Sequence, residues 1–448
     1  MNAPRRHGAR RAIALLALAG AVLCVSRPAR ASEAMVPPPE PDSVRAPVTE
    51  APPGAATPVA PTMASPVTTA SAGRDSAASD TTARDVDYLW VLRTALMDPA
   101  EIPRLVERAK AMHVRGLLVQ VVGRGDGWYR SDLLPYPEPL RTPGRDPLGE
   151  LLPLAHAAGL EVHAWMNCCL VWSGDKPPRD PRHVVRAHPE WVARMADGRP
   201  MTRLSPRARE RLMVEGVFLS PGHPGVRHFI ANIAREIASR YPVDGIHLDY
   251  IRQPSVGIGF DPTTRARFAL EHGADPDPGE PGIPFHRLPL AQRASMDSAW
   301  ADFQLDQVTA IVREVRDSLA SVRPGIQLSA AVLADTLTAV HRNRQAWSTW
   351  LREGLLDRAF AMCYAPQVQT VMGQLSAMAA QVGTARLVPG IAIYNTSPSS
   401  AAAKIKGARE LGFPAIALYS YDSLYEREGL WQQLHAYLNS PRTLEEHP

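Results

Sequence analysis

Short apolar runs rich in β-favouring residues recur between residues 85 and 440 and alternate with amphipathic helical patterns. Helical patterns lie, for example, at 100–113, 225–241 and 299–322. The eight apolar runs are 88–96, 116–126, 161–167, 244–250, 326–335, 358–366, 387–395 and 415–424. Strands that alternate with helices predict βα units and a parallel sheet. Eight such units predict an α/β fold, the (β/α)8 TIM barrel, in which strands one and eight are neighbours.

Two connections that follow strands are much longer than the rest. Residues 170–216 follow the third run, and the Pro- and Gly-rich residues 252–298 follow the fourth. Loops that follow strands in a TIM barrel line the face on which active sites are built. We therefore expect both insertions to shape a groove for an extended substrate.

The first 31 residues have the layout of a secretory signal peptide. A basic start precedes an apolar run from Ala12 to Val25, and Ala29 and Ala31 form a small-x-small cleavage site. This apolar run is short for a membrane span. The sequence therefore predicts a secreted or periplasmic protein with no stable membrane span once residues 1–31 are removed.

Residues 32–84 consist mainly of Pro, Ala, Ser and Thr, and they contain no aromatic residue, no Leu and no Ile. Such a segment cannot bury enough apolar surface to offset the entropy cost of ordering the chain. We expect a disordered linker here, followed by one globular domain at residues 85–440.

Removal of the predicted leader changes the charge balance. Residues 1–31 hold six Arg and no acidic residue, so the 49 basic and 45 acidic residues of the whole chain become 43 and 45. A slightly acidic chain without a basic footprint argues against nucleic acid as a partner.

Three cysteines remain after the leader, namely Cys168, Cys169 and Cys363. They are too few for a disulfide framework in an exported protein. We expect buried, apolar thiols, with a bridge from Cys168 or Cys169 to Cys363 as the alternative.

Polar residues collect near the carboxyl ends of the predicted strands at positions of one parity, and alternate residues of a barrel strand point inward. The inward series are Gln120, Arg124 and Asp126 on strand two, His163, Trp165 and Asn167 on strand three, His247 and Asp249 on strand four, Gln327 to Asp335 on strand five, and Ser420 and Asp422 on strand eight. We expect a polar pocket at the barrel mouth, with Asp249 at its rim and His247 one layer below.

Several motifs resemble the glycosyl-hydrolase-like family ten proteins, which are exported TIM-barrel proteins, some of which act on bacterial cell-wall glycan. The most specific is "DGIHLDYIRQP", and "HAWMN" followed by "HPEW" is next. The resemblance runs from about Tyr88 to Leu438 and implies a TIM barrel that hydrolyses glycosidic bonds. One departure is the single acid of "LDYIRQP", where many members have a paired Asp-Asp-Tyr.

Glycoside hydrolysis needs two carboxyl groups, one ionised and one protonated. Asp249 is the candidate for the ionised nucleophile or base, with a pKa held low by Arg124 or Arg252. The alternative is a structural Asp249 paired with Arg252 or with a neighbouring loop. Asp335 is the favoured proton donor, although it could instead cap the following loop.

Asp126 and Asp422 are rival proton donors. The candidate substrate contacts are Arg124, Asp126, His163, Trp165, Asn167, His247, Tyr364 and Tyr394. Aromatic faces stack on pyranose rings, and amide or guanidinium groups bond sugar hydroxyls. For each aromatic residue, packing in the core is the alternative.

Two other functions stay open at this point. One is a metal-dependent hydrolase or deacetylase with His163, His247 and Asp249 as ligands. The other is a catalytically silent barrel that binds glycan, because a fold does not imply an activity. The favoured hydrolase needs no cofactor, and its partner is a polysaccharide or oligosaccharide.

Overall fold

Eight parallel strands close into a barrel in the computed structural model, which describes residues 84–137, 140, 144–174, 176–276 and 289–440. The predicted leader and, except for Arg84, the predicted linker lie outside these residues. The strands are β1 (Tyr88–Val91), β2 (Gly116–Val122), β3 (Glu161–Asn167), β4 (Gly245–Asp249), β5 (Gln327–Leu333), β6 (Arg358–Cys363), β7 (Leu387–Ala392) and β8 (Ala417–Tyr419). Tyr88 pairs with Gly116 on one side and with Ala417 on the other, so β1 and β8 close the barrel. The predicted TIM barrel is confirmed.

Helices connect the strands, and those outside the two insertions cover the outside of the barrel. They are α1 (Glu101–Ala111), α2 (Pro147–Ala157), α3 (Val184–Ala187), α4 (Pro206–Leu212), α5 (Pro224–Arg240), α6 (Pro262–His272), α7 (Leu290–Val322), α8 (Trp347–Arg352), α9 (Val368–Val382), α10 (Pro398–Glu410), α11 (Tyr421–Glu426) and α12 (Leu430–Asn439). Short 3₁₀ turns occupy Arg93–Leu96, Pro189–Trp191 and Met201–Arg203, and a π turn occupies Thr338–Arg342.

Five of these helices begin with the same device. Each has proline at its first position and a capping side chain before it, as in Asp146 before α2 and Asp261 before α6. The carboxylate of Asp261 accepts a hydrogen bond from the Thr264 backbone N–H. Proline at the first helical position breaks no hydrogen bond, because the N–H of that position has no acceptor within the helix. The capping side chain accepts a hydrogen bond from another backbone N–H of the first turn. Local sequence therefore defines these helix starts without help from packing.

Large aromatic side chains fill the barrel interior. Tyr88, Trp90, Leu118, Trp165 and Phe360 belong to one buried cluster inside the strands. Trp90 fits because β7 contributes Gly390, where a Cβ would lie 2.5 Å from the indole. The interior is thus a packed core, and only its carboxyl end is free to form a site.

Both long insertions lie on the carboxyl-end side of the barrel. In the first, Leu170–Trp172 pairs antiparallel with Val217–Phe218. The second contains α6, and its Phe268 packs with Trp300 and Phe303 of α7. Cys168, Cys169 and Cys363 are buried and free, as predicted.

None of the helices in the described ranges combines enough length with enough apolar character to cross a bilayer.

Candidate active site

Asp249, the last residue of β4, is a carboxylate at the barrel mouth that is only 7% exposed. Its Oδ2 accepts a hydrogen bond from the Trp165 indole N–H at 3.1 Å, and its Oδ1 accepts the Tyr250 backbone N–H at 2.6 Å. The strand ends here because Tyr250 adopts a left-handed backbone conformation with a φ of +50°. The turn and the indole together fix the direction of the carboxylate.

Burial raises the pKa of Asp249 from 3.8 to about 6. The Tyr250 N–H bond, the Arg252 charge and the Trp165 bond lower this pKa, but their effect is smaller than that of burial. The prediction of a pKa held low by a neighbouring arginine is therefore wrong in its direction. At pH 7 the group is still mainly ionised, because one pH unit corresponds to a ratio of about ten.

Arg252 is not the ion-pair partner of Asp249. Its guanidinium is buried against the rings of Tyr250 and Phe218, at 5.0 and 5.8 Å from the ring centres, and it binds Glu215 Oε1 at 2.8 Å. Glu215 comes from the first insertion and raises the pKa of Asp249. Glu215 could not be predicted from the barrel pattern, because it lies inside an insertion and not at the end of a barrel strand.

Three half-buried tyrosines form a wall next to Asp249, and we call Tyr364, Tyr394 and Tyr419 the tyrosine wall. The ring centres of Tyr364 and Tyr419 are 5.0 Å apart, and Tyr394 lies 6.3 and 6.0 Å from them. The Asp249 charge acts on Tyr364 and Tyr419 and contributes, after burial, to their raised pKa values. Tyr364 and Tyr394 thus lie together after the ends of β6 and β7, and their role as sugar contacts stays a prediction.

Tyr419 was missed because the predicted parity of strand eight is wrong. In the structure Ala417 and Tyr419 face the interior, and Ser420 caps α11 by accepting the Ser423 backbone N–H. Strand β8 is only three residues long, so the alternation of inward and outward side chains along it is too short to be recognised in the sequence.

Asp422 lies in the first turn of α11, and its carboxylate is half-buried. Its oxygens accept hydrogen bonds from the Leu92 backbone N–H at 2.9 Å and from the Thr94 hydroxyl at 3.1 Å. Burial raises its pKa to about 6. Asp249 and Asp422 both contribute to the raised pKa of Tyr419, so this ring lies within electrostatic reach of the two carboxyl groups.

A chain of hydrogen bonds holds Arg93 at the mouth. Arg93 Nη1 donates to Gln120 Oε1 at 2.6 Å, Gln120 Nε2 donates to Asn167 Oδ1 at 3.3 Å, and Asn167 Nδ2 donates to the Gly123 carbonyl at 2.9 Å. The Asn167 amide therefore positions other residues, and its side chain is buried. Arg93 was not predicted, because it lies inside the predicted strand-one run 88–96, whereas the observed strand ends at Val91.

Arg124 and Asp126 form the turn after β2, and both are partly exposed. Asp126 Oδ1 accepts the Arg124 backbone N–H at 3.0 Å, and the His183 ring nitrogen contacts the Arg124 carbonyl oxygen at 2.6 Å. The two predicted contact residues thus lie where the mouth meets the first insertion.

His247 and Trp165 serve the structure of the site. The Trp90 indole donates to His247 Nε2 at 3.1 Å, which assigns the proton to Nδ1, and Nδ1 lies 3.0 Å from Ser329 Oγ. Burial lowers the pKa of His247 well below its usual value, so the ring is neutral. Trp165 is only 3% exposed and cannot stack on a sugar. Both predictions of substrate contact are corrected.

His163 lies at the opposite end of the barrel interior. It pairs in register with Gly245, four residues before Asp249, and its Nε2 lies 3.3 Å from Glu161 Oε2. Tyr88 donates to the same carboxylate oxygen. The predicted substrate contact is therefore wrong, since this polar group closes the barrel floor.

The ligand set proposed for a metal-dependent enzyme does not converge. Four strand residues separate the levels of His163 and Asp249, which is about 13 Å at ~3.3 Å per residue, and both nitrogens of His247 are engaged. Within the described part of the chain, no three His, Cys, Asp or Glu side chains are grouped as metal ligands.

Asp335 is exposed after β5, and its Oδ1 accepts the Thr338 backbone N–H at 2.7 Å. The carboxylate caps the π turn that follows. The prediction of Asp335 as the proton donor is therefore corrected, because the residue has the alternative role of a cap for the following loop.

Comparisons with known proteins agree with the barrel fold. A family model described as Glycosyl hydrolase-like 10 matches residues 83–402. Glycosyl hydrolase DigH from Escherichia coli (strain K12) is 23% identical over 392 residues, covering 78% of this chain and 78% of the relative.

Two solved structures share the fold. The PgaB (BpsB) glycoside hydrolase domain from Bordetella bronchiseptica has a TM-score of 0.56 at 17% identity and covers 80% of this chain and 99% of that one. The catalytic domain of β-amylase from Paenibacillus polymyxa has a TM-score of 0.53 at 13% identity, with 80% and 98% covered.

Proposed function

The chain belongs to the Glycosyl hydrolase-like 10 family, as its motifs predicted, and we propose that it cleaves glycosidic bonds of an extracytoplasmic polysaccharide with Asp249 as the essential carboxylate. The observation that supports this proposal most directly is the position of Asp249. It ends β4 at the barrel mouth, is held by Trp165 and Tyr250, and lies beside the tyrosine wall. Active sites of TIM barrels lie at this end of the strands.

Asp249 acts as the ionised group. Positive charge develops at the anomeric carbon in the transition state, and a carboxylate beside it either stabilises this charge or attacks the carbon. The Trp165 and Tyr250 N–H groups keep both oxygens oriented while the charge develops.

Asp422 is the partner that donates the proton. Its raised pKa of about 6 leaves a protonated fraction near neutral pH. The Thr94 hydroxyl beside Oδ1 can either donate or accept, so it tolerates both protonation states of Asp422.

The substrate is a polymer that enters between the two insertions, and a bacterial cell-wall glycan is the first candidate. The tyrosine wall offers rings on which sugars stack. The leader pattern of residues 1–31 supports an exported, secreted or periplasmic location, where such a polymer is found.

The test compares Asp249→Asn, Asp422→Asn and Asp335→Asn in cleavage of soluble cell-wall glycan, followed by new reducing ends. We expect losses of about 10³-fold or more for Asp249→Asn and about 10²–10⁴-fold for Asp422→Asn. Asp335→Asn is the matched control and should stay within about twofold of the parent. Near-parental turnover by Asp249→Asn would refute the assignment, and binding without turnover by the parent would identify a silent glycan-binding barrel.

A further inference from the structure

Arg93 is a half-buried cation without a carboxylate partner. Among the described residues, its one side-chain hydrogen bond is to the neutral amide of Gln120. It reaches this position because residue 123 is glycine, where a Cβ would lie 2.6 Å from Arg93 Cδ. Burial of the guanidinium lowers its pKa. A cation that is partly removed from water and left unpaired at a barrel mouth is well suited to an anionic ligand.

Arg124 is a second cation at the same place. Its charge and that of Asp126 both act on Arg93, as do the hydroxyls of Tyr250 and Tyr419. The Nε of Arg124 is buried and has no hydrogen-bond partner. Throughout the described ranges, neither Arg93 nor Arg124 forms an ion pair, and Asp126 is the carboxylate whose charge acts on Arg93.

The neighbouring insertion is also basic. Residues 170–216 contain ten Arg or Lys and six Asp or Glu, whereas the chain after residue 31 has 43 and 45. Arg203, Arg207 and Arg211 are exposed at a spacing of four residues. His183 joins this insertion to the Arg124 carbonyl. The positive electrostatic field of this insertion increases the rate at which anionic polymers associate with the protein.

We propose that Arg93 and Arg124 form a subsite for a carboxylate group on a sugar of the substrate, so that the preferred polymer is an acidic glycan. This inference rests on the proposed function and extends it to a substrate class. The planar guanidinium fork matches a carboxylate in a bidentate manner, which a neutral hydroxyl cannot reproduce. Tyr419 lies close enough to Arg93 to interact with its charge, and its ring offers a surface on which the same sugar can stack.

The first experiment measures binding of D-glucuronate and D-glucose by saturation-transfer NMR, independently of turnover. The parent should bind glucuronate preferentially, and Arg93→Gln should lose this preference. The control is Arg104→Gln, which removes an exposed arginine of α1 paired with Glu101. Arg124→Gln provides a second variant should Arg93→Gln fail to fold. Equal binding of the two sugars by the parent, or a preference that survives in both variants, would overturn the subsite.

The second experiment uses cell-wall glycan oligosaccharides with free carboxylates and the same oligosaccharides converted to methylamides. The ratio of kcat/KM for the two forms should be tenfold or more in the parent, close to one in Arg93→Gln, and intermediate in Arg93→Lys, which keeps the charge without the fork. Cleavage of both forms at equal rates would contradict the subsite while supporting the hydrolase. Absence of cleavage of either form would count against the proposed function, and the glucuronate measurement would then decide the subsite alone.

Discussion

The Trp165 indole N–H donates to Asp249 Oδ2 across neighbouring strands at 3.1 Å. The strand register pairs Trp165 with His247, which lies two residues before Asp249. The indole therefore belongs to the layer of side chains directly below the carboxylate that it binds. The large apolar ring contributes to the burial that raises the pKa of Asp249, while its N–H favours the ionised form. One side chain therefore both desolvates and orients the proposed catalytic group.

The pH dependence of cleavage should reflect the two carboxyl groups. With Asp249 ionised and Asp422 protonated, and with both pKa values at about 6, we expect a narrow bell-shaped profile of kcat/KM with its optimum near pH 6. Initial rates on cell-wall glycan between about pH 4 and 8 measure it. Trp165→Phe removes a hydrogen bond that favours the ionised form of Asp249. The pKa of Asp249 should therefore rise, and the acid limb of the profile should move to higher pH. A flat profile across this range would contradict the assignment.

Asp249→Asn should become more stable relative to the parent as the pH rises. The folded-state pKa is raised from 3.8 to about 6, so the stability linked to this group is complete below pH 3.8 and is lost as pH rises through 6. The neutral amide removes this pH-dependent cost, but its single oxygen can accept only one of the Trp165 and Tyr250 N–H bonds, and the other donor loses its partner at every pH. We therefore expect the stability of Asp249→Asn relative to the parent to rise by about 2 kcal/mol between pH 4 and pH 7. Urea unfolding at both pH values measures the difference. Asp335→Asn, which alters an exposed cap, should show no such pH-dependent gain.

His247→Leu should destabilise the protein because it leaves the Trp90 N–H and the Ser329 hydroxyl without their buried partner. Each unsatisfied group costs about 1–3 kcal/mol. Ser329→Ala should cost less, and the two losses should not add, because the residues share one hydrogen-bonded chain. Urea unfolding of the single and double variants measures this coupling. Additive losses would show that His247 and Ser329 act independently.

Tyr364→Leu and Tyr419→Leu should weaken substrate binding, because leucine keeps apolar volume but loses the flat ring. We expect KM to rise about tenfold in each, equivalent to about 1.4 kcal/mol. Steady-state kinetics on cell-wall glycan measure it, with Tyr437→Leu, an exposed residue of α12, as the control. A loss confined to kcat would indicate that the tyrosine wall contacts the reacting atoms instead.

The barrel itself was predictable from the sequence. Its strands and helices are periodic patterns of single segments, and closure follows once eight βα units occur in order. The third run matches β3 residue for residue, and the position of Asp249 at the end of β4 followed from its segment alone. Short apolar runs are sufficient to predict such strands, because a strand of a parallel barrel is buried on both faces, by the helices outside and by the core inside.

The depth and partners of each side chain were decided only by the tertiary structure. His163 and Asp249 have the same parity on neighbouring strands, yet the register places them at opposite ends of the interior. Arg93 and Tyr419 come from loops and strand ends whose direction no periodic pattern encodes. The pKa of Asp249 depends on how much water its neighbours exclude, which is a sum over residues distant in the chain. Sequence thus determined the scaffold through local patterns, whereas burial and register, which require all eight strands together, determined the chemistry of the site.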